Sequence, residues 1–76
     1  MNENRRREIS RAISHLEMAK NIVSDVLFEE QNALDNMPEN LQSSSRYEAM
    51  ESAVDALSDA ESSIDEAVEY LEAAVE

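Results

Sequence analysis

The chain has 76 residues, and its 18 Asp and Glu against six Lys and Arg give a formal net charge of −12. It has no cysteine, no glycine and one proline, which excludes disulfides, thiolate metal sites and glycine-rich phosphate loops. The charge repels nucleic acid and anionic lipid, and no apolar run approaches the roughly 20 residues of a membrane span. We therefore expect no direct nucleic-acid or membrane partner, and a cytoplasmic protein without a signal peptide.

The first half of the chain predicts a long amphipathic helix over residues 3–36. Apolar residues recur three and four positions apart from Ile9 onward, which is the period of a helix with one apolar side. Asn2 or Asn4 can cap its first turn. The repeat of large, small and large residues has a seven-residue period and is interrupted by Lys20 and Glu30.

Residues 37–45 are predicted to form the turn. Pro38 cannot continue a helix, so the first helix should end at Asn36, a residue type that tolerates the left-handed cap conformation. Leu41 is expected to pack under the end of the bundle. Ser45 and Glu48 have the spacing of a capping box, which predicts that the second helix starts there.

The last part of the chain predicts a second helix over residues 46–75, uninterrupted by glycine or proline. From Arg46 to Glu76 the chain holds ten acidic residues and one basic residue, a net charge of −9. The same seven-residue repeat continues, with alanine at every seventh position and a large residue three positions before each: Ala53, Ala60, Ala67 and Ala74 follow Met50, Leu57, Ile64 and Leu71.

The short connection predicts an all-α fold in one domain, an antiparallel two-helix hairpin with an alanine-rich seam. The rod should be roughly 45 Å long. The alanines predict four opposed layers, Ala12 with Ala74, Ala19 with Ala67, Val26 with Ala60 and Ala33 with Ala53. The hairpin also places the basic first turns beside the acidic end of the chain, so Arg5, Arg6, Arg7 and Arg11 are expected to meet Glu69, Glu72 and Glu76.

Two helices cannot cover three apolar positions per heptad, so large residues should line an open groove beside the seam. A second copy would cover this groove, which predicts a homodimer that forms a four-helix bundle. Lys20, Glu30 and Glu61 would be polar groups that fix the register of that bundle. The predicted dimer interface comprises Ile13, Leu16, Lys20, Val23, Leu27, Glu30, Leu57, Glu61, Ile64, Val68 and Leu71.

Two further surfaces are candidates for binding a partner. Carboxylates at helical spacing predict an acidic face on the second helix, which either keeps the protein in solution or imitates the phosphates of a nucleic acid in steps of about 5.4 Å. Off the main apolar stripe lie three large side chains that can form a docking patch or widen an oligomer interface. The acidic face comprises Glu48, Glu51, Asp55, Asp59, Glu66 and Glu69, and the apolar patch comprises Met18, Ile22 and Phe28.

The sequence offers no catalytic, cofactor or metal site. His15 is the single histidine, and no Glu-x-x-His spacing accompanies it, so no metal site is predicted. Glu30 and Glu61 could form a carboxylate cluster, but a hairpin of this thickness is expected to lack the pocket that acid–base catalysis needs. We expect a protein that is not an enzyme.

The turn and the second helix resemble a class of small acidic proteins encoded by phages and prophages of Gram-positive bacteria. The resemblance lies in the stretch EEQNALDNMPENLQ, residues 29–42, and in the cadence AVDAL and SIDEAV after Arg46. In that class, a turn of this type joins two helices. The resemblance implies a phage accessory protein in the host cytoplasm, and by analogy one that binds and inhibits host proteins such as defence nucleases.

These features predict a non-enzymatic binding protein, a homodimeric hairpin that presents its acidic face to a basic protein surface of host or phage. A first alternative is a self-associating structural bundle that scaffolds other components, with the charge serving solubility. A second alternative is a small-ligand sponge with a pocket at an oligomer interface.

Overall fold

The computed structural model describes residues 1–76 and contains two long helices, α1 at Glu3–Asp35 and α2 at Ser45–Ala74. A 3-10 turn at Glu39–Leu41 lies between them, and there is no strand. Lys20 of α1 contacts Asp65 of α2, and Ser24, one turn later in α1, contacts Glu61, one turn earlier in α2. The two helices therefore run antiparallel. The predicted all-α hairpin is confirmed, and its extents are 59 × 15 × 14 Å. The rod is longer than predicted because the 33 residues of α1 alone span about 50 Å.

Helix α1 begins and ends at asparagines. The side chain of Asn2 accepts a hydrogen bond of 2.8 Å from the backbone N–H of Arg5 and so satisfies one free donor of the first turn. At the other end, Asn36 has φ −93° and ψ 3°, so the expected left-handed cap is not formed. Its backbone and side-chain nitrogens instead donate to the carbonyl of Asn32 at 3.0 and 2.8 Å. Both bonds satisfy the carbonyl of Asn32 in the last turn, and no residue at positive φ is needed there.

The N-cap of α2 differs from the one that the sequence predicts. Ser44, not Ser45, is the N-cap, because its hydroxyl accepts from the backbone N–H of Tyr47 at 3.2 Å. The 3-10 turn leaves Ser44 as the extended residue before the helix, and this moves the cap back by one position. Tyr47 then occupies the position where a capping box needs a carboxylate, so the predicted box with Glu48 does not form. Leu41 is 45% exposed and does not pack under the end of the hairpin as expected.

The predicted alanine-rich seam is formed in part, because large residues of both helices are buried or half-buried together with Ala19, Ala53, Ala60 and Ala67. Only Leu34 is buried, with 9% of its surface exposed, and the other seam residues are half-buried. On α1, three of the four small positions of the repeat are exposed, namely Ala12, Val26 and Ala33. Packing the large side chains against each other removes more apolar area from water than packing methyl groups would. The seam comprises Ile9, Ile13, Leu16, Val23, Leu27 and Leu34 of α1 and Met50, Val54, Leu57, Ile64, Val68 and Leu71 of α2.

The small residues lie along one side of the hairpin, which we call the alanine flank, and Ala19, Ala53, Ala60 and Ala67 among them are half-buried. On each helix they lie about 80° around the axis from the seam, in the same rotational sense. Because the helices are antiparallel, the same sense points to the same side of the rod. Neither helix contains an apolar segment long enough to cross a bilayer. The alanine flank comprises Ala12, Ala19, Ile22, Val26 and Ala33 of α1 and Ala49, Ala53, Ala56, Ala60, Ala67 and Ala74 of α2.

Candidate binding surfaces

The acidic face lies along α2, away from both the seam and the alanine flank. All six of its carboxylates are exposed, and they follow one another at three-, four- and seven-residue steps. Glu66 accepts a hydrogen bond of 3.4 Å from the hydroxyl of Tyr70, and the other five accept no hydrogen bond from within the chain. Neither ion pair of the structure involves this face. A rigid helix therefore displays a row of carboxylates whose charge the protein itself does not neutralise.

Two other carboxylates of α2 hold the hairpin in register. The ammonium group of Lys20 lies 2.6 Å from Asp65, and the hydroxyl of Ser24 donates to Glu61. The hydrogen bond to Asp65 raises the pKa of Lys20 above its ordinary value, while desolvation lowers it and the charges of Asp65, Glu61 and Glu17 raise it. Each pair lies within one residue of the layers predicted from the alanines. The contacts identify Lys20 and Glu61 as groups that join the two helices of one chain.

The residues predicted for the dimer interface all lie where α1 and α2 meet. All eleven are half-buried, because each helix covers the apolar side of the other. Glu30 is among them and makes no hydrogen bond or ion pair. These residues thus contribute to the contact between the two helices, and each also keeps part of its surface exposed.

The predicted apolar patch is divided between two sides of α1. Met18, Ile22 and Phe28 are 63%, 61% and 69% exposed. Met18 and Ile22 are one turn apart, with Ile22 on the alanine flank and Met18 at its edge, whereas Phe28 lies on the opposite side of the hairpin. There it lines a shallow groove of about 340 Å³ between the helices. The groove is lined by Ser24, Leu27, Phe28, Gln31, Val54 and Ser58.

The basic first turns do not form the expected ion pairs with the acidic end of the chain. Arg11 instead pairs with Glu8 of its own helix at 2.8 Å. Arg6 donates from its guanidinium group to the carbonyl of Val75 and to the carbonyl of Met1, the latter at 3.3 Å. The contact with Val75 places a positive charge at the C-terminus of α2, where it satisfies a free carbonyl and complements the helix dipole.

The ring of His15 contacts a backbone carbonyl of its own helix. Its Nδ1 lies 2.7 Å from the carbonyl oxygen of Arg11, one turn earlier in α1. This separation fits a hydrogen bond in which the ring donates its Nδ1 proton. No group of three or more His, Asp or Glu side chains in the structure is arranged to hold a metal ion.

The sequence pattern alone does not identify the alanine flank as one side of the hairpin. The seven-residue repeat of small residues predicts that they lie in the seam, whereas Ala12, Val26 and Ala33 of α1 are exposed. A second signal was also present, since no Asp or Glu between Glu48 and Glu72 falls on the flank positions of α2. Half of the flank alanines of α2, namely Ala53, Ala60 and Ala67, are half-buried, so the absence of acidic residues there accompanies the contact between the helices.

The chain was compared with protein-family models, with curated proteins and with solved structures. None of the three comparisons gives a match for this sequence. The function is therefore argued from the geometry of the acidic face and of the groove at Phe28.

Proposed function

We propose that this protein is a non-enzymatic binding module whose acidic face docks against a basic surface of another protein. The observation that supports this proposal is the row of exposed carboxylates on α2, five of which have no partner within the chain. Carboxylates concentrated on one side of a helix repel each other and so disfavour the folded state. A partner with a basic surface would neutralise this repulsion. A basic surface would be attracted from a distance and oriented by the charge.

The partner that suits this surface is a protein that normally binds nucleic acid. Its binding cleft is basic, and a helix with a carboxylate at nearly every turn imitates a strand of phosphates. The resemblance to phage-encoded acidic proteins favours a host target, such as a nuclease of a defence system. In this proposal the carboxylates occupy the cleft and exclude its substrate.

The test begins with capture of partners from the native host, identified by mass spectrometry, and continues with affinities measured for the captured protein. The acidic-face variant is Asp55→Asn/Asp59→Asn/Glu66→Gln. Its matched control, Asp25→Asn/Glu29→Gln/Glu39→Gln, removes the same number of charges at exposed positions outside α2. Exposed charge pairs contribute about 0.2–1 kcal/mol each, so the acidic-face variant should bind about tenfold more weakly.

The control should bind within about twofold of the wild type, and the affinity of the wild type should fall as salt is raised. If the two triple variants bound equally well, or if affinity were the same at low and high salt, the acidic face would not be the contact surface.

A second candidate function is that of a structural bundle, in which the hairpin associates with itself to form four helices. The observation that favours self-association is the small amount of burial, with one buried residue in the whole chain. Domains of this size are marginally stable without disulfides, metals or partner subunits, and this chain has no cysteine. The two functions are compatible, because a dimer can also carry the acidic face.

A further inference from the structure

We infer that the groove at Phe28 anchors the basic partner: it takes one apolar side chain of a segment rich in lysine or arginine, whose cationic groups pair with the carboxylates beside the groove. This inference rests on the proposed function. It adds what the acidic face alone does not specify, namely where along the rod the partner is fixed and which kind of side chain fixes it. The groove lies between α1 and α2 and is lined by residues of both.

The groove combines half-buried apolar residues with one exposed aromatic ring. Leu27 and Val54 are half-buried where the helices meet, and Phe28 lies beside them with 69% of its surface exposed. The volume of about 340 Å³ is at the lower end of the roughly 300–1,000 Å³ of ligand sites. Small ligands bury most of their surface in such sites, which a shallow groove does not permit. The groove therefore suits one side chain of a larger partner.

Exposed carboxylates border the groove on the side of α2. Glu51 and Asp55 belong to the acidic face, and they precede the lining residues Val54 and Ser58, respectively, by three positions. Residues three apart on a helix are neighbours, with about 5–6 Å between their Cβ atoms. Both carboxylates are exposed. The groove is thus continuous with the acidic face, and a segment bound across it would contact both.

Two further carboxylates hold polar side chains that line the groove. The hydroxyl of Ser24 donates to Glu61, and Nε2 of Gln31 donates to Asp35 at 2.9 Å. These bonds fix the lining side chains in place. An ionised carboxylate has about four acceptor sites, so each of the two can accept further hydrogen bonds. A partner that brings hydrogen-bond donors would therefore find acceptors on both helices.

Charge complementarity selects a basic segment as the occupant. Lys20 is the only basic residue within one helical turn of a lining residue, and it is paired with Asp65 at 2.6 Å. The surrounding carboxylates repel an anionic ligand or a second copy of this chain, which carries a net charge of −12. An uncharged segment would desolvate them without pairing them. Lysine and arginine supply both the opposite charge and the donors, and an apolar anchor enclosed by polar contacts is typical of protein interfaces.

The experiment is an NMR titration of the full chain with two short lysine-rich peptides that differ only at the central residue, phenylalanine in one and serine in the other. The phenylalanine peptide should bind about tenfold more tightly, because only its ring removes apolar surface of the groove from water. It should shift the amide signals of Leu27, Val54 and Ser58, which line the groove. Raised salt should weaken the binding of both peptides and preserve their ratio, because screening acts on the charges.

Phe28→Ala tests the groove within the chain. Met18→Ala is the matched control, because Met18 is 63% exposed on the same helix and does not line the groove. Phe28→Ala should bind the phenylalanine peptide about tenfold more weakly and should leave the affinity of the serine peptide unchanged. Met18→Ala should bind both peptides within about twofold of the wild type. Helical circular dichroism should be the same for both variants, because each removes an exposed side chain.

The contribution of charge is tested by Glu51→Gln/Asp55→Asn, which should weaken both peptides by a similar factor of about fivefold. Equal affinity of the two peptides for the wild type, or equal losses in Phe28→Ala and Met18→Ala, overturns the groove as the anchoring site while the acidic-face proposal stands. A chain that binds neither peptide also overturns the groove, and the acidic face is then judged by its triple variants against the captured partner. Unchanged binding by Glu51→Gln/Asp55→Asn overturns the pairing of charges beside the groove.

Discussion

Truncation of Leu34 is the most direct test of the seam. Leu34 is the one buried side chain, 9% exposed, and it lies in the last turn of α1, next to the connection to α2. Leu→Ala changes in protein cores cost about 2–5 kcal/mol, and a two-helix contact gives values at the lower end, so we expect about 2–3 kcal/mol for Leu34→Ala. The whole chain should have an unfolding free energy of only about 4–11 kcal/mol. The melting temperature should therefore fall by about 10–20 °C.

The measurement is urea and thermal unfolding followed by circular dichroism, at one fixed protein concentration because association shifts apparent stability. Phe28→Ala is the control, since it removes a larger side chain that is 69% exposed. It should cost no more than about 0.5 kcal/mol. The reasoning would be refuted if Phe28→Ala destabilised the protein as much as Leu34→Ala, or if Leu34→Ala unfolded like the wild type.

Three further predictions follow from local contacts. Ser44→Ala should cost about 1 kcal/mol of unfolding free energy because it removes the cap of α2, and Ser45→Ala should cost much less; urea unfolding distinguishes them. The raised pKa of Lys20 stabilises the folded state below the pKa of the unfolded chain, about 10.4, and this contribution is lost as pH rises through the folded-state value. The stability difference between wild type and Lys20→Gln should thus be constant from about pH 7 to 9 and decrease above about pH 10.4. Asp65→Asn should lower the pKa of Lys20 in an NMR titration, and an unchanged pKa would contradict the pairing.

The candidate surfaces were predictable to different degrees. The acidic face follows from helical spacing alone, and the structure exposes all six of its carboxylates. The apolar patch was not predictable as a unit, because Phe28 and Ile22 are separated by the rotation of α1 and Phe28 meets residues of α2. Lys20 was recognised as an interruption of the apolar stripe, but its partner Asp65 depends on the register between helices. Contacts between distant parts of a chain require the tertiary arrangement.

The sequence by itself determined the two helices, the break at Pro38 and the antiparallel hairpin, because period, capping residues and a short connection act locally. The seven-residue repeat places large, small and large residues on one half of each helix, but it does not say which two of the three positions face the partner. The tertiary structure decided this: α1 faces α2 with its large positions and leaves Ala12, Val26 and Ala33 exposed, since packing large side chains removes more apolar surface from water. On α2 the corresponding Ala53, Ala60 and Ala67 remain half-buried beside the large residues, so the two helices use the same repeat differently.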